Sequence, residues 1–453
     1  MSSKSPLHSI AWDKVINSPR WPWALWLGAF LIYVIVAVSV TGLQTYEPSG
    51  DEGEYFELAK NLAETGQFVG KGRQLFRTPI YPGLLAMLFI VTGPEVAVAK
   101  LFNCFIGAFI PLGLFYLGKL LFNRRIGAAA GIVSLIQPTI LGPIVTLYSE
   151  SLSSAAFVWV NVFIVYQAQK VASKPPGSVK DCWPAWLGLG AALGLLVLIK
   201  PQHVFFLPFL LMGGIWHFWQ LKLRLVPIIS LILLSFCLIM SPWWIRNARL
   251  SNGYFIPLTT SGDRTFIDAN NPTIAHMIPH FEKIGDTGRK IWLGPGKHLH
   301  DLRDNELVDP DVLRQMNEVE QARYFRHQAL AWILAQPRDW LILVIKKLGY
   351  GFSVWPIWQG SVTLFICSVF FLIILALSLP GWITIMKNPG LPRLLLLHLL
   401  TYLAVTILFF GSWRYRHPYE GSFILAAVLG VSELRKIWPV LGVNLAAIPS
   451  RSR

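Results

Sequence analysis

Charge and cysteine are what this chain has least of. Asp, Glu, Lys and Arg make up 14% of its 453 residues, against about 25% in a soluble domain of ordinary composition. Hydrophobic residues make up 54%, and the mean hydropathy is +0.51. Charge this sparse, with apolar residues in long uninterrupted runs, argues against a soluble globular class and for a polytopic, all-α membrane protein. The four cysteines (Cys104, Cys182, Cys237, Cys367) are scattered and form no CxxC or Cys/His spacing, which argues against a disulfide framework and a structural zinc site. The formal net charge is +15, yet the basic residues form no tract or tail. They sit in short clusters between apolar spans, as topology determinants and headgroup contacts do, so a nucleic-acid partner is not expected. No internal repeat at a fixed period is present.

Apolar runs of membrane length predict helices near 22–42, 96–121, 126–147, 151–169, 183–199, 202–220, 225–245, 360–386, 394–411 and 419–433, about ten spans in all. The first follows Lys4, Lys14 and Arg20 and outlasts the roughly 7–15-residue core of a signal peptide. It reads as an uncleaved span, with Ala37-Val38-Ser39 the competing cleavage site. The stretch 80–91 is apolar but short for crossing, and Pro79, Pro82 and Gly93-Pro94 bound it. It is expected to lie on, or dip into, the outer surface. With that choice Arg124-Arg125, Lys170, Lys174, Lys180, Lys222, Arg224, Lys387, Arg393 and Arg435-Lys436 all fall on the cytoplasmic side, as the positive-inside rule requires. Both termini are then cytoplasmic. The chain divides into an N-terminal membrane part (1–245) that includes an acidic outer loop (43–95), an outer loop or cap (246–358), and a C-terminal membrane part with a tail (359–453). Asp309-Pro310-Asp311 predicts a helix start in the cap, with Val312, Met316 and Val319 as its apolar stripe. The run after Pro337 reads as an interfacial helix.

The stretch from Ser49 to Pro82 is where chemistry is expected. It is the first long polar segment and holds five carboxylates (Asp51, Glu52, Glu54, Glu57, Glu64), with Arg77 returning in Arg-Thr-Pro-Ile-Tyr-Pro. The alternative is a solvated loop opening a helix, with Asp51 as N-cap and Glu54 as its capping-box partner. On the predicted topology Arg77, Lys200, Arg246, Arg249, Arg414 and Arg416 sit at outer ends of spans, against the insertion bias. A phosphate or pyrophosphate held there is one reason; snorkelling to headgroups is the other. Asp51, Glu52 and Glu150 are the acids near that face. Such a carboxylate can act as general base toward an acceptor hydroxyl or amine, and acids from two loops sharing a divalent cation are the alternative. Glu150, after Ser149, also suits a plain helix start. Most aromatics near this face belong to an interfacial belt; Tyr55, Tyr81 and Trp243 are the candidates to stack on a sugar. The histidines His203, His217, His398 and His417 do not cluster in the sequence and are assigned no role.

One further pattern lies in the order of motifs: Asp51-Glu52-Gly53-Glu54-Tyr55, then Arg77-Thr78-Pro79-Ile80-Tyr81-Pro82, Arg124-Arg125, Ser149-Glu150, Ser241-Pro242-Trp243-Trp244-Ile245-Arg246-Asn247, and Arg414-Tyr415-Arg416-His417-Pro418. It resembles the GT-C membrane glycosyltransferases, specifically the protein-mannosyltransferase-like and aminoarabinose-transferase-like family, from about residue 20 to residue 430. Each motif is short; their order and spacing carry the likeness. The resemblance implies a GT-C type transmembrane bundle with extracytoplasmic juxtamembrane helices. It also implies transfer of a sugar, with inversion, from a polyprenyl-phosphate carrier to a lipid, glycan or protein acceptor at the extracytoplasmic face. By motif, Asp51 is implied as the catalytic carboxylate, with Glu52 and Glu150 as secondary acids. Arg77 is implied as a donor-phosphate contact, with Arg246, Arg414 and Arg416 as further phosphate or carrier contacts; Lys200, in Lys-Pro where relatives often carry Arg-Pro, joins them by its place at the outer end of a span. Members of that family differ in their need for a metal, so no cofactor is assigned and a divalent metal stays open. Arg-Thr-Pro stands where the aminoarabinose branch has Lys-Pro-Pro, which argues against that branch's substrates. Asp268-Ala269-Asn270-Asn271-Pro272 only partly matches the relatives' Gly-Asn-Asn-Pro, which leaves the acceptor pocket unassigned. A transporter or flippase of a lipid-linked sugar, and a polysaccharide ligase or polymerase, are the rival readings.

Overall fold

A computed structural model describes residues 13–43, 45–173, 182–220, 225–277, 281–284, 289–292, 305, 307–353 and 362–437. Lys174, Lys180, Lys222 and Arg224 of the topology argument lie outside the described residues. The chain is almost wholly helical. In order the helices are α1 (Trp21–Val36), α2 (Gly50–Thr65), α3 (Ile80–Thr92), α4 (Val96–Gly107), α5 (Phe109–Leu121), α6 (Arg124–Ile136), α7 (Pro138–Ile144), α8 (Glu150–Ala172), α9 (Trp183–Ile199), α10 (Phe206–Gln220) and α11 (Leu225–Leu250). After them come α12 (Ser261–Ala269), α13 (Pro272–Met277), a two-stranded antiparallel hairpin of β1 (Phe281–Ile284) and β2 (Arg289–Trp292), α14 (Pro310–Arg314), α15 (Glu318–Ala335), α16 (Pro337–Gly351), α17 (Val362–Lys387), α18 (Leu394–Leu408), α19 (Trp413–Arg416) and α20 (Glu420–Ile437).

Every stretch expected to span is helical over most of its described residues, but the count of ten does not follow from length and composition. Among the described residues six helices are long and apolar enough to cross a membrane, with α4 and α5 forming one continuous span. A seventh is added if α6 and α7, bent by 62°, are one span. Gln137, in extended backbone before Pro138, makes that bend. The α9 helix and the 201–215 stretch are shorter apolar helices, as is α3 at 80–92. Packing is close where glycine removes the side chain: Gly381 of α17 lies on the backbone of Ala426, and Gly430 of α20 on that of Leu377. Small residues at such crossings let helices approach without the water-driven burial that a membrane cannot supply.

The bundle interior is more polar than the sequence suggests. His203 and His398, far apart in the chain, both pack on Phe157, with ring centroids 5.2 and 4.8 Å away. His398 also bonds Asn161 and Ser422, while His417 bonds Ser154. His203 and His398 therefore do meet, at Phe157; the side chain of His217 lies outside the described residues.

Helices α12 to α16 correspond to the expected outer loop or cap, the outer unit of that reading. Asp309 caps α14 as expected, accepting from the amides of Asp311 and Val312. The expected single helix is instead two, because Asn317 opens α15 with a complete capping box to Glu320. Buried Ile267, Leu313, Phe325 and Ala329 close a small core between α12, α14 and α15. Asn270 ties the unit to the bundle: its side chain bonds Trp340, Lys347 and the carbonyl of Leu408. Lys347 is buried without an acid and donates to the Ile407 carbonyl at 2.8 Å as well. The Asn270-Asn271-Pro272 motif thus supports the framework.

Candidate active site

The site is built first on α2. Ser49 precedes the helix with no side-chain cap bond, so neither the Asp51 cap nor its capping box with Glu54 forms. Asp51 and Glu52 instead occupy the first turn, where helix amides favour negative charge. Residues three and four apart share a face, whereas adjacent ones point about 100° apart. Asp51, Glu54 and Tyr55 therefore face the same way, toward a cavity that all three line. Glu52 turns from it and accepts a bond from the Tyr46 hydroxyl. The acid pair of the site is Asp51 and Glu54, not Asp51 and Glu52.

The chain then returns its arginines through a tight turn. Gly70 and Arg73 exchange two backbone bonds of 2.9 and 3.0 Å across Lys71-Gly72. Lys71 and Gly72 have φ of 49° and 72°, the positive values that a type I′ turn requires. Arg73 emerges at 2.8 Å from Glu54. Arg77 reaches Asp51 at 2.5 Å and Glu54 at 2.7 Å.

Three distant segments complete the site. Glu150 opens α8, Lys200 ends α9 just before Pro201, and Arg414 lies on the one-turn helix α19. Lys200 Nζ is 2.7 Å and Arg414 Nε 2.9 Å from Glu150 Oε1, while Arg414 Nη1 is 2.9 Å from Asp51 Oδ2. The outcome is a continuous chain of ion pairs, Arg73–Glu54–Arg77–Asp51–Arg414–Glu150–Lys200. Four cations face three carboxylates there, one formal positive charge in excess. Asp51 and Arg414 keep 29% and 32% side-chain exposure, whereas Glu54 and Glu150 keep 2% and 1%. With Arg73, also 32% exposed, the first two present the charges that a ligand meets.

The cavity has a volume of about 1120 Å³. Beside Lys200 its wall is apolar, made by Phe205, Leu258, Phe266, Phe409 and Phe410. The far wall belongs to the outer unit, where Arg326 pairs with Asp263 and Arg264 with Asp268. Burial alone would raise the Asp51 pKa, but Arg77 and then Arg414 outweigh it and hold the carboxyl well below the usual range. Among the described residues no three His, Cys, Asp or Glu side chains stand together as a metal site; Arg414 bridges Asp51 and Glu150.

Several expected contacts lie elsewhere. Arg416 is two residues from Arg414, nearly opposite on the helical turn, and is 1% exposed in the core. It pairs with Glu420 at 2.9 Å, bonds Ser353 at 3.2 Å and lies over the Phe371 ring. Arg246 does not line the cavity: it stacks on Trp243 and Phe68 and donates to the Gln74 carbonyl at 2.8 Å. Trp243 is itself bonded to the Leu258 carbonyl, and Tyr81 is fully buried with its hydroxyl on Asn103. Of the three aromatics only Tyr55 borders the cavity, packed edge-on against Tyr81 and held by Ser149. Glu54 and Arg73 belong to the site but were not singled out; the helical period from Asp51 and the Gly-Lys-Gly-Arg turn were the signals for them.

Removing half of a buried ion pair strands its partner. Arg416→Met is therefore expected to cost about 3–5 kcal/mol, read as a lower thermal unfolding midpoint in detergent. Adding Glu420→Leu should restore much of the loss. An unchanged midpoint for the single variant would show that the pair contributes nothing.

The sequence matches no protein-family profile and no curated protein. Its fold, however, is similar to solved structures. The oligosaccharyltransferase AglB from Archaeoglobus fulgidus, in complex with an inhibitory peptide and a dolichol-phosphate, matches with a TM-score of 0.53 and 14% identity over 96% of this chain. The same organism's oligosaccharyltransferase in the apo form gives 0.54 and 13% over 96%. This chain spans only about half of those proteins, 52% and 53%. ArnT from Cupriavidus metallidurans bound to undecaprenyl phosphate matches over 94% of this chain and 80% of its own, with a TM-score of 0.42 and 12% identity. At such identities the likeness is one of fold, and the fold is the GT-C type membrane bundle.

Proposed function

We propose that this protein is a membrane glycosyltransferase that moves a sugar from a polyprenyl-phosphate donor to a lipid, glycan or protein acceptor at the extracytoplasmic face. The observation that carries this reading is the ion-pair chain with its excess positive charge, set in a cavity with an apolar flank. A phosphodiester carries one negative charge, and the polyprenyl tail finds the Phe205–Phe409–Phe410 side. Guanidinium groups suit phosphate because their donors form a planar fork.

In this mechanism Arg77, Arg414 and Lys200 stabilise the charge that builds on the departing phosphate, the kind of interaction that strengthens in the transition state. Asp51 accepts the proton as the acceptor's oxygen or nitrogen attacks the anomeric carbon, which passes through oxocarbenium-like character. Both Asp51 oxygens are engaged by arginine. A donor phosphate that draws Arg77 and Arg414 to itself releases them from Asp51 and raises its basicity, so the base becomes effective when the donor is present.

A transporter remains the second reading, because His398 with Asn161, and Arg416 with Glu420, put polar groups inside the bundle. None of these residues borders the cavity, however. The test gives the purified protein radiolabelled polyprenyl-monophosphate and polyprenyl-diphosphate sugars with a membrane-lipid and protein extract. Label passing from the monophosphate to an acceptor supports the reading. Transfer from the diphosphate alone would favour a ligase or polymerase. Carrier movement across liposomes without transfer would favour a transporter.

A further inference from the structure

The two-residue segment Gln74-Leu75 lies between Arg73 and Arg77, and every one of its backbone polar groups is held by the outer unit or by the helix leading to it. The Gln74 amide donates to Glu318 at 3.0 Å and the Leu75 amide to both Glu318 oxygens at 3.2 Å. The Gln74 carbonyl accepts from Arg246 at 2.8 Å, and the Leu75 carbonyl from the Thr260 amide at 3.0 Å. Thr260 Oγ1 donates in turn to Glu318 at 2.6 Å. A short loop would ordinarily satisfy such groups with water and keep several conformations. Here four backbone groups held from three distant segments choose one, and with it the directions in which Arg73 and Arg77 leave the backbone.

Glu318 is the first residue of α15, whose later residues Ala322, Arg323, Arg326 and Leu330 line the far wall of the cavity. One rigid helix therefore joins that wall to the arginine loop. We propose that Glu318 is a positioning residue: by clasping Gln74-Leu75 with Arg246 and Thr260, it sets Arg77 for the donor phosphate and makes the outer unit and the arginine loop move as one body. This rests on the transferase reading for the role of Arg77. It also gives Arg246 a purpose at the outer end of α11 without a place in the cavity.

The test compares wild type with Glu318→Ala, Glu318→Gln and Arg246→Gln, each as the full chain in detergent or liposomes. Two readouts are taken, hydrogen exchange over residues 70–78 and affinity for undecaprenyl phosphate. Glu318→Ala is expected to speed exchange at Gln74 and Leu75 and to weaken carrier binding about tenfold, the scale of one lost positioning interaction near 1.4 kcal/mol. In turnover the loss should fall on the donor KM more than on kcat. Glu318→Gln, which keeps one acceptor oxygen, should recover part of both, and Arg246→Gln should err in the same direction. Faster exchange with wild-type carrier affinity would reduce the clasp to a structural staple and overturn the proposal, as would unchanged exchange. A wild type that binds no carrier would overturn the transferase reading itself, and this inference with it. That outcome is distinct from equal binding by wild type and variant, which removes the clasp alone.

Discussion

Asp51→Asn is expected to reduce sugar transfer by about 10²–10⁴-fold, the usual contribution of a positioned general base. Asparagine keeps the shape and one acceptor oxygen, so the bundle should fold with an unchanged unfolding midpoint. It takes no proton, and it leaves Arg77 with only Glu54 and Arg414 with only Glu150 for acid partners. Carrier binding is accordingly expected to hold or tighten while turnover falls, since a phosphate no longer competes with the Asp51 charge. Initial rates at saturating radiolabelled donor would read the first effect and equilibrium binding the second. Transfer equal to wild type would remove Asp51 as base and shift attention to Glu54 and Glu150, the other acids of the ion-pair chain.

Arg414→Gln is expected to lower turnover by about 10²–10³-fold, the range for deleting one preorganised donor to a developing negative charge. It should also move the pH profile, with a sign that follows from the ion pairs. Asp51 must be ionised to accept a proton, and Arg77 and Arg414 hold its pKa below the ordinary carboxylate value. The acidic limb of kcat/KM reports groups of the free enzyme, so in wild type it should lie below the usual carboxylate range. With Arg414 gone, one of the charges holding Asp51 down is lost, its pKa rises, and the limb moves to higher pH. Rates for wild type and Arg414→Gln across the acidic range would check this. A limb that stays in place would mean that Asp51 is not the group titrating. A limb moving to lower pH would contradict the electrostatics altogether.

The two variants probe different parts of how the site is read from sequence. The stretch Ser49–Pro82 could be singled out because acids and a returning arginine are rare in so apolar a chain, and rarity is visible without a fold. Position near the outer ends of the predicted spans added Glu150, Lys200 and Arg414, and these do meet Asp51 and Arg77 in one chain of ion pairs. The failures share a cause. Glu52 adjoins Asp51 in one motif and Arg416 lies two residues from Arg414 in another, but on a helix neighbours in sequence face different directions. Glu52 ends on Tyr46 and Arg416 on Glu420. Arg246 was chosen for its place at the outer end of a span, which sets its depth but not its direction. Its guanidinium turns to Trp243 and the Gln74 carbonyl.

What the amino-acid order determined by itself is the membrane class and the places where the helices run. Both depend on the length and apolarity of contiguous stretches, and the cost of exposing backbone polar groups in lipid leaves helices as the answer. Helix starts at Asp309-Pro310 and Pro337 were equally local, since a cap or a proline acts on its own turn. Only the tertiary structure decided that Asp51, Arg77, Glu150, Lys200 and Arg414 share one cavity. It likewise decided that Glu318, far along the chain, holds the backbone between Arg73 and Arg77. Those meetings depend on the phase of each helix and on which helix lies beside which, quantities set by packing across hundreds of residues and carried by no single stretch of sequence.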